Sequence, residues 1–236
     1  MQSLLIDVGN TSAKYAIYNE VSGEIEVLSY SQARLVISKV NKILCSTVSS
    51  NNELSELLTL TSITPAFIET QADAFGIKNA YPSFNNLGVD RWLAIIGGEA
   101  CYPDNNLIIV DAGTAMTIDA LDEKKNHLGG WIVPGLNLMQ SSIADRAPGV
   151  FTKFDAELEQ FGTDTPSALY SGCVYSLVGL IDTAVSILRA KEPYATVKVL
   201  LTGGDGPLLL KHIDHSAELI PDLVFKGLAR FTSKVN

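Results

Sequence analysis

The sequence predicts an α/β protein made of two similar domains, each a mixed sheet flanked by helices. Three observations carry this. The opening of the chain and the opening of its second half both read as three-strand meanders followed by alternating helical and strand patterns. Each meander starts with an apolar strand that ends on the same kind of turn, Asp7-Val8-Gly9-Asn10-Thr11 and Asp111-Ala112-Gly113-Thr114. Asp111 lies 104 positions after Asp7 in a chain of 236, a spacing too long for a solenoid and suited to two like domains facing each other across a cleft. The boundary is expected near Pro103–Asn106, giving domains 1–104 and 105–236.

The elements follow in order. Ser3–Asp7, Ala13–Tyr18 and Glu24–Tyr30 are the first strands, separated by Gly9-Asn10-Thr11 and Ser22-Gly23. Ser31–Lys42 has helical spacing through Ala33, Leu35, Val36, Ile37 and Val40, and Lys42–Val48 is a buried strand. A short helix over Asn51–Leu60 is capped by Asn51 or Asn52, and Ala66–Glu69 is a strand. Tyr81–Leu87 is a polar loop, and Val89–Ala100 a helix. The second meander is Leu107–Asp111, Ala115–Leu121 and His127–Val133, with a charged turn at Asp122–Asn126. Helices over Pro134–Arg146 and Pro166–Ala190, a strand at Thr196–Leu201, and helices near Pro207–His212 and Pro221–Phe231 complete the chain.

Composition narrows the function classes. Hydrophobic residues at 47% and charged residues at 18% describe an ordinary soluble globule. Lys plus Arg total 17 against 26 Asp plus Glu, and a formal charge of −9 argues against nucleic acid or anionic lipid as partners. The uncharged stretches Leu128–Ala144 and Thr165–Ile181 fall short of bilayer length and are broken by polar residues, so no membrane span is expected. The first residues lack a basic leader, and Cys45, Cys101 and Cys173 have neither disulfide nor zinc spacing, which makes a reducing cytoplasm the expected location.

Chemistry concentrates in three motifs. In Asp7-Val8-Gly9-Asn10-Thr11-Ser12-Ala13-Lys14 a strand delivers a carboxylate to a glycine turn rich in donors. Gly9 lets backbone approach an oxyanion, Asn10, Thr11 and Ser12 donate, Lys14 adds charge, and Asp7 can hold Mg²⁺ directly or through water. Alone, this could be a polar hairpin with a capping aspartate. The second copy at Asp111–Thr117 changes the balance, since two such turns can grip one polyphosphate from both sides. Thr202-Gly203-Gly204-Asp205-Gly206 is a third glycine turn, where either a flat adenosine or simple loop punctuation fits. Gly88-Val89-Asp90-Arg91, at the mouth of a helix and after Tyr81, is either a surface ion pair or a proton acceptor, Asp90, beside an anion-steadying guanidinium, Arg91.

Together, D-V-G-N-T-x-x-K at 7–14, G-V-D-R at 88–91, D-A-G-T-A-M-T at 111–117 and G-G-W-I-V-P-G at 129–135 resemble type III pantothenate kinase, in order and spacing, from about residue 3 to about residue 230. The resemblance implies the actin-like and sugar-kinase-like superfamily: two ribonuclease H-like domains, mixed sheets flanked by helices, ATP in the interdomain cleft, and a homodimer whose substrate site lies near the subunit interface. It implies ATP-dependent phosphorylation of pantothenate, the first step of coenzyme A biosynthesis, with Mg²⁺ and a monovalent cation, K⁺ or NH₄⁺. Carried over, Asp7, Val8, Gly9, Asn10, Thr11, Ser12, Ala13 and Lys14 form the first phosphate loop, Thr114 touches ATP, and Asp111 holds the monovalent cation. Asp90 is the proton acceptor. Tyr81, Gly88, Val89, Asp90 and Arg91 bind pantothenate with Thr165, for which Thr163 competes. Ser12-Ala13 and Met116 depart from the family pattern without removing a donor or carboxylate. A kinase for another small hydroxyl compound, and a regulatory ATP-binding module of the same fold, remain as alternatives.

Overall fold

In the computed structural model, which describes residues 1–49, 52–147, 149–153, 156–191 and 196–235, the first strand β1 (Gln2–Val8) is buried at every position after Gln2. It lies at the centre of its sheet, so both faces must be apolar. β2 (Ala13–Asn19) pairs antiparallel with β1, and β3 (Ile25–Leu28) pairs antiparallel with β2. β3 stops short of Tyr30 because Ser29 caps α1 (Tyr30–Val36) in a reciprocal pair with Gln32. α1 ends well before Lys42. The Lys39 N–H turns back onto the Val36 carbonyl, and Asn41 then joins the Gln2 carbonyl to begin β4 (Lys42–Thr47) in parallel register with β1.

α2 (Asn52–Leu58) and β5 (Ala66–Phe67) follow, the latter beside β4, giving the sheet order β3-β2-β1-β4-β5. Asn52 is the first helical residue, and Asn51 lies outside the described residues. A small hairpin, β6 (Asp73–Ala74) and β7 (Ile77–Lys78), precedes α3 (Val89–Cys101). Leu4, Ile6, Val8 and Ile43 of the sheet share one core cluster with Ala33 of α1 and Leu57 of α2.

The second half repeats the plan. β8 (Asn106–Ala112), β9 (Ala115–Leu121) and β10 (His127–Pro134) form the meander, followed by α4 (Leu136–Ala144) and α5 (Thr165–Lys191). β11 (Val197–Thr202), α6 (Gly206–Leu210), β12 (Ala217–Leu219) and α7 (Leu223–Ala229) end the chain, with a further 3-10 turn at Arg230–Lys234. The sheet order β10-β9-β8-β11-β12 matches that of the first half. By length and apolar composition α5 could cross a membrane, but half of its apolar stretch is buried, with Val174, Leu177 and Ile181 in the second core.

The chain divides into two compact units: Met1–Asp104 with Glu123–Leu128 and Asp222–Asn236, and Asn105–Asp122 with Gly129–Pro221. One crossing between these units falls between Asp104 and Asn105. The block 105–236 is not continuous, however, because the tip of the β9–β10 hairpin and the α7 region belong with the first unit. Local pairing explains both: Lys78 bridges Asn126, and α7 packs on α3.

An ion cluster ties these returning segments down. Glu99 of α3 is 3% exposed and meets Lys125 Nζ at 2.7 Å and the Arg230 guanidinium. Burial works to raise its pKa, but the two cations outweigh it and hold the carboxyl below its ordinary value. Such a group adds stability above the unfolded pKa of about 4.3 and loses it as the pH falls through the folded value. Because the two cations are partly exposed, Glu99→Gln is expected to cost about 2 kcal/mol at pH 7, the scale of a hydrogen bond to a charged group. Denaturant titrations across pH should show the gap from wild type closing below about pH 4.

Candidate active site

β1 carries Asp7 to its end with the side chain buried at 8% exposure. Register places Asp7 opposite Lys14 on β2 and Ser46 on β4, and Ser46 Oγ donates to Asp7 Oδ1 at 2.9 Å. The chain then turns, with the Gly9 N–H on the Ser12 carbonyl at 3.1 Å and Ser49 Oγ donating to the Gly9 carbonyl at 3.0 Å. Asn10, Thr11, Ser12 and Lys14 are exposed, whereas Val8 is buried and its side chain serves the core. Thr11, Ser12 and Ala13 face Asn52 and Glu53 across an open depression of about 460 Å³. Glu53 accepts from the buried Tyr15 hydroxyl at 3.3 Å, and burial, reinforced by Glu53, keeps that phenol protonated well above its usual range.

The second turn has the same construction. Asp111, near the end of β8, lies opposite Thr202 on the parallel strand β11 and Thr117 on the antiparallel strand β9, so a hydroxyl residue again sits beside the carboxylate. Gly113 N–H closes on the Ala115 carbonyl at 3.2 Å, leaving Thr114 exposed. Two other segments converge here. The Gly135 N–H donates to the Thr114 carbonyl at 2.9 Å, and the Asp205 N–H donates to the Ala112 carbonyl at 3.0 Å. Gly203 has φ +87°, and a Cβ there would lie 2.5 Å from both the Ala112 carbonyl oxygen and Asp111 Oδ1. Burial raises the pKa of the Asp205 carboxyl, opposed by the bond it accepts from the Leu136 N–H at the start of α4. The glycine turn at 202–206 thus packs on the Asp111 turn and is not a separate feature.

The third motif opens α3. Gly88 is the N-cap, and Asp90 Oδ1 accepts the Arg91 N–H at 2.8 Å, taking up one of the helix's unpaired first-turn donors. The carboxylate folds so far back that a Cβ on residue 88 would sit 2.5 Å from Asp90 Oδ1. Val89 is buried and contributes to the core. Arg91, only 6% exposed, donates from Nη1 to the Tyr81 hydroxyl at 3.2 Å, with its Cζ 5.9 Å from that ring. Tyr81 and Arg91 are thus joined directly, the phenol oxygen accepting from the guanidinium.

Thr165 starts α5 with its side chain exposed. Its neighbour Asp164 accepts the Ser167 N–H at 2.8 Å, which holds that carboxyl below its ordinary value, while Thr163 Oγ1 donates to Glu159 at 3.4 Å. Asp7 to Lys14, Tyr81 and Gly88 to Arg91 belong to the first unit; Asp111, Thr114 and Thr165 belong to the second. Three residues around these motifs escaped the sequence reading as site residues: Ser46, Glu53 and His127. Only Ser46, polar inside the apolar run of β4, gave a local signal. Among the described residues, no group of three or more His, Cys, Asp or Glu side chains is placed to hold a metal.

A family model described as type III pantothenate kinase matches residues 3–186. The type III pantothenate kinase of Pseudoalteromonas translucida (strain TAC 125) is 35% identical over 229 residues, covering 95% of this chain and 94% of that protein. That of Nitrosococcus oceani is 34% identical over 256 residues, covering 98% and 95%. Among solved structures, a conserved Campylobacter jejuni protein described as a Baf family transcriptional activator aligns with a TM-score of 0.62 at 27% identity, covering 98% of each chain. A Sinorhizobium meliloti protein described as a 2-dehydro-3-deoxygalactonokinase aligns at 0.56 with 12% identity over 99% of each chain, a likeness of fold.

Proposed function

Because the chain belongs to the type III pantothenate kinase family, we propose that it transfers the γ-phosphoryl group of ATP to the primary hydroxyl of pantothenate, the reaction that opens coenzyme A biosynthesis. The fold, two mixed sheets flanked by helices, is that of the actin-like and sugar-kinase-like ATPases. The observation that carries the reading is the grouping of Tyr81, Asp90 and Arg91 at the α3 N-terminus, in a chain with two D-x-G turns of matching register.

Phosphoryl transfer asks a protein for alignment and charge neutralisation more than covalent chemistry. The exposed hydroxyls of Thr11 and Ser12, the Asn10 amide and the Lys14 ammonium suit the phosphates, and Thr114 suits a further contact to ATP. Arg91 and Tyr81 would steady pantothenate while Asp90 receives the proton of the attacking hydroxyl. Thr165, whose hydroxyl is exposed, is the better placed of the two threonines for a further substrate contact, since Thr163 is turned to Glu159.

The donor set fits the ions such a kinase uses. Asp7 is a hard oxygen ligand, and among the described residues no cluster of three or more His, Cys, Asp or Glu is built to cage a metal, as suits Mg²⁺ that arrives on ATP and keeps much of its water. Asp111, a carboxylate beside backbone carbonyls, suits K⁺ or NH₄⁺. When bound, these cations offset phosphate charge in an acidic protein. The exposed apolar side chains Trp131 and Ile132 on the edge strand β10 and Leu138 and Ile143 on α4 are ones that a second copy of the chain would cover. The half-buried α5 fits the core helix of a soluble enzyme, and the formal charge of −9 disfavours nucleic acid and anionic membrane as partners.

The test is ADP release from Mg·ATP with potassium, with and without pantothenate; turnover should rise well above background only when pantothenate is present. A regulatory ATP-binding role is the second reading, favoured by the likeness to the Campylobacter jejuni protein. ATP binding without pantothenate-dependent turnover would turn the assignment to it.

A further inference from the structure

Tyr81 is held from two sides, and only one belongs to a motif of the sequence. Arg91 ties the hydroxyl. On the ring, the imidazole of His127 stacks with centroids 6.1 Å apart and planes 12° from parallel. His127 is 3% exposed, and its Nδ1 accepts the Ala80 N–H at 3.3 Å, so the same side chain fixes both the ring and the backbone just before it. The Tyr81 N–H meanwhile donates to Asn79 Oδ1 at 3.0 Å. These bonds leave the phenol little freedom of orientation.

His127 reaches this place because the tip of the β9–β10 hairpin is anchored in the first unit by groups other than its own ring. The Lys78 N–H donates to the Lys125 carbonyl at 2.9 Å, Lys78 forms a parallel bridge with Asn126, and Lys125 Nζ meets Glu99 at 2.7 Å. The backbone beneath the imidazole is therefore set independently, and changes at residue 127 act on Tyr81 more than on the hairpin.

We infer that His127 is a positioning residue for the acceptor: through the stack on Tyr81 and the bond from Ala80, it holds the Tyr81 hydroxyl at the Arg91 guanidinium in the orientation that receives pantothenate. The inference rests on the reading of Tyr81 and Arg91 as acceptor-binding groups. Its chemistry is geometric. An acceptor site built on a fixed phenol binds without the cost of ordering that ring, so the loss of His127 should appear in pantothenate affinity and leave the nucleotide alone.

The experiment is steady-state kinetics with pantothenate and ATP varied separately, for wild type, His127→Ala, His127→Phe and His127→Gln. His127→Ala should raise KM for pantothenate about tenfold, the scale of a lost aromatic pair and hydrogen bond, with kcat and KM for ATP within about threefold. His127→Phe keeps a ring against Tyr81 and should recover most of that affinity, whereas His127→Gln keeps only an acceptor and should not. On a Tyr81→Ala background, His127→Ala should add less than about twofold, because the group it positions is gone. An unchanged pantothenate KM in His127→Ala, an equal rise for ATP, or full multiplication with Tyr81→Ala overturns the inference. If the alanine variant does not fold, the contrast between Phe and Gln decides, and equal constants for the two overturn it. Wild-type protein that ignores pantothenate overturns the functional reading and this inference with it. Wild-type turnover with no effect of His127 overturns the inference alone.

Discussion

Replacing Asp90 with asparagine is expected to lower pantothenate-stimulated ADP release by about 10²–10⁴-fold, the range for removal of a general base, with ATP affinity within about twofold. The substitution is close to isosteric, and its carbonyl oxygen can still accept the Arg91 N–H that Asp90 Oδ1 accepts at 2.8 Å. The start of α3 should thus keep its shape, and Arg91 its bond to Tyr81. The amide nitrogen left in place of the second carboxylate oxygen cannot take a proton, so the loss should fall on kcat, with KM for pantothenate little changed. Coupled ADP assays and calorimetric titration with nucleotide separate the two effects. A variant within about threefold of wild type would remove Asp90 from its role and leave the loose transition state to proceed without a protein base.

The largest expected effect on stability comes from Gly97→Ala. α3 and α7 cross at two glycines that fit each other's backbone: a Cβ at Gly97 would lie 2.1 Å from the Leu223 carbonyl oxygen, and one at Gly227 would lie 2.0 Å from that of Leu93. Both obstacles are main chain, which cannot rotate away as a side chain does, so the helices must separate. That opens the interface around Leu93 and Leu223, both fully buried. A cost of about 3 kcal/mol is expected, with the melting temperature lower by roughly 6–12 °C. Gly172→Ala on α5, where nothing lies within 4 Å of the added methyl, is the control and should match or exceed wild type, because alanine is the better helix former. Equal melting curves for the two variants would show that the α3–α7 crossing is not close-packed.

What could be read in advance follows a physical line. β9 falls on Ala115–Leu121, as its alternation predicts, and both D-x-G turns lie at strand ends because glycine and polar residues interrupt apolar runs there. Periodicity reports which face of an element is apolar, not which sheet that face will cover. The helix near Pro221–Phe231 was therefore legible as a helix but not as part of the first unit. β6, β7 and β12, two or three residues each, are too short to show a period. The motif residues of the candidate site were legible for the same reason as the turns. Their supports were not: Ser46 meets Asp7 through parallel register, and His127 meets Tyr81 through the docking of a hairpin tip. Ser46 stands out locally as a polar residue in the apolar run of β4, but neither its meeting with Asp7 nor that of His127 with Tyr81 leaves a pattern in the neighbouring sequence.

The place of α7 has a consequence for how the protein is made. A ribosome releases residues 1–104 first, yet the helix that covers the apolar face of α3 is encoded after all of residues 105–221. Until it emerges, the face of α3 around Leu93 and Gly97 has no partner, and the nascent first unit carries an open hydrophobic surface through the synthesis of the entire second one. The second unit, whose sheet needs no later segment, can fold as it is completed, so the half of the chain synthesised first is the half that finishes folding last.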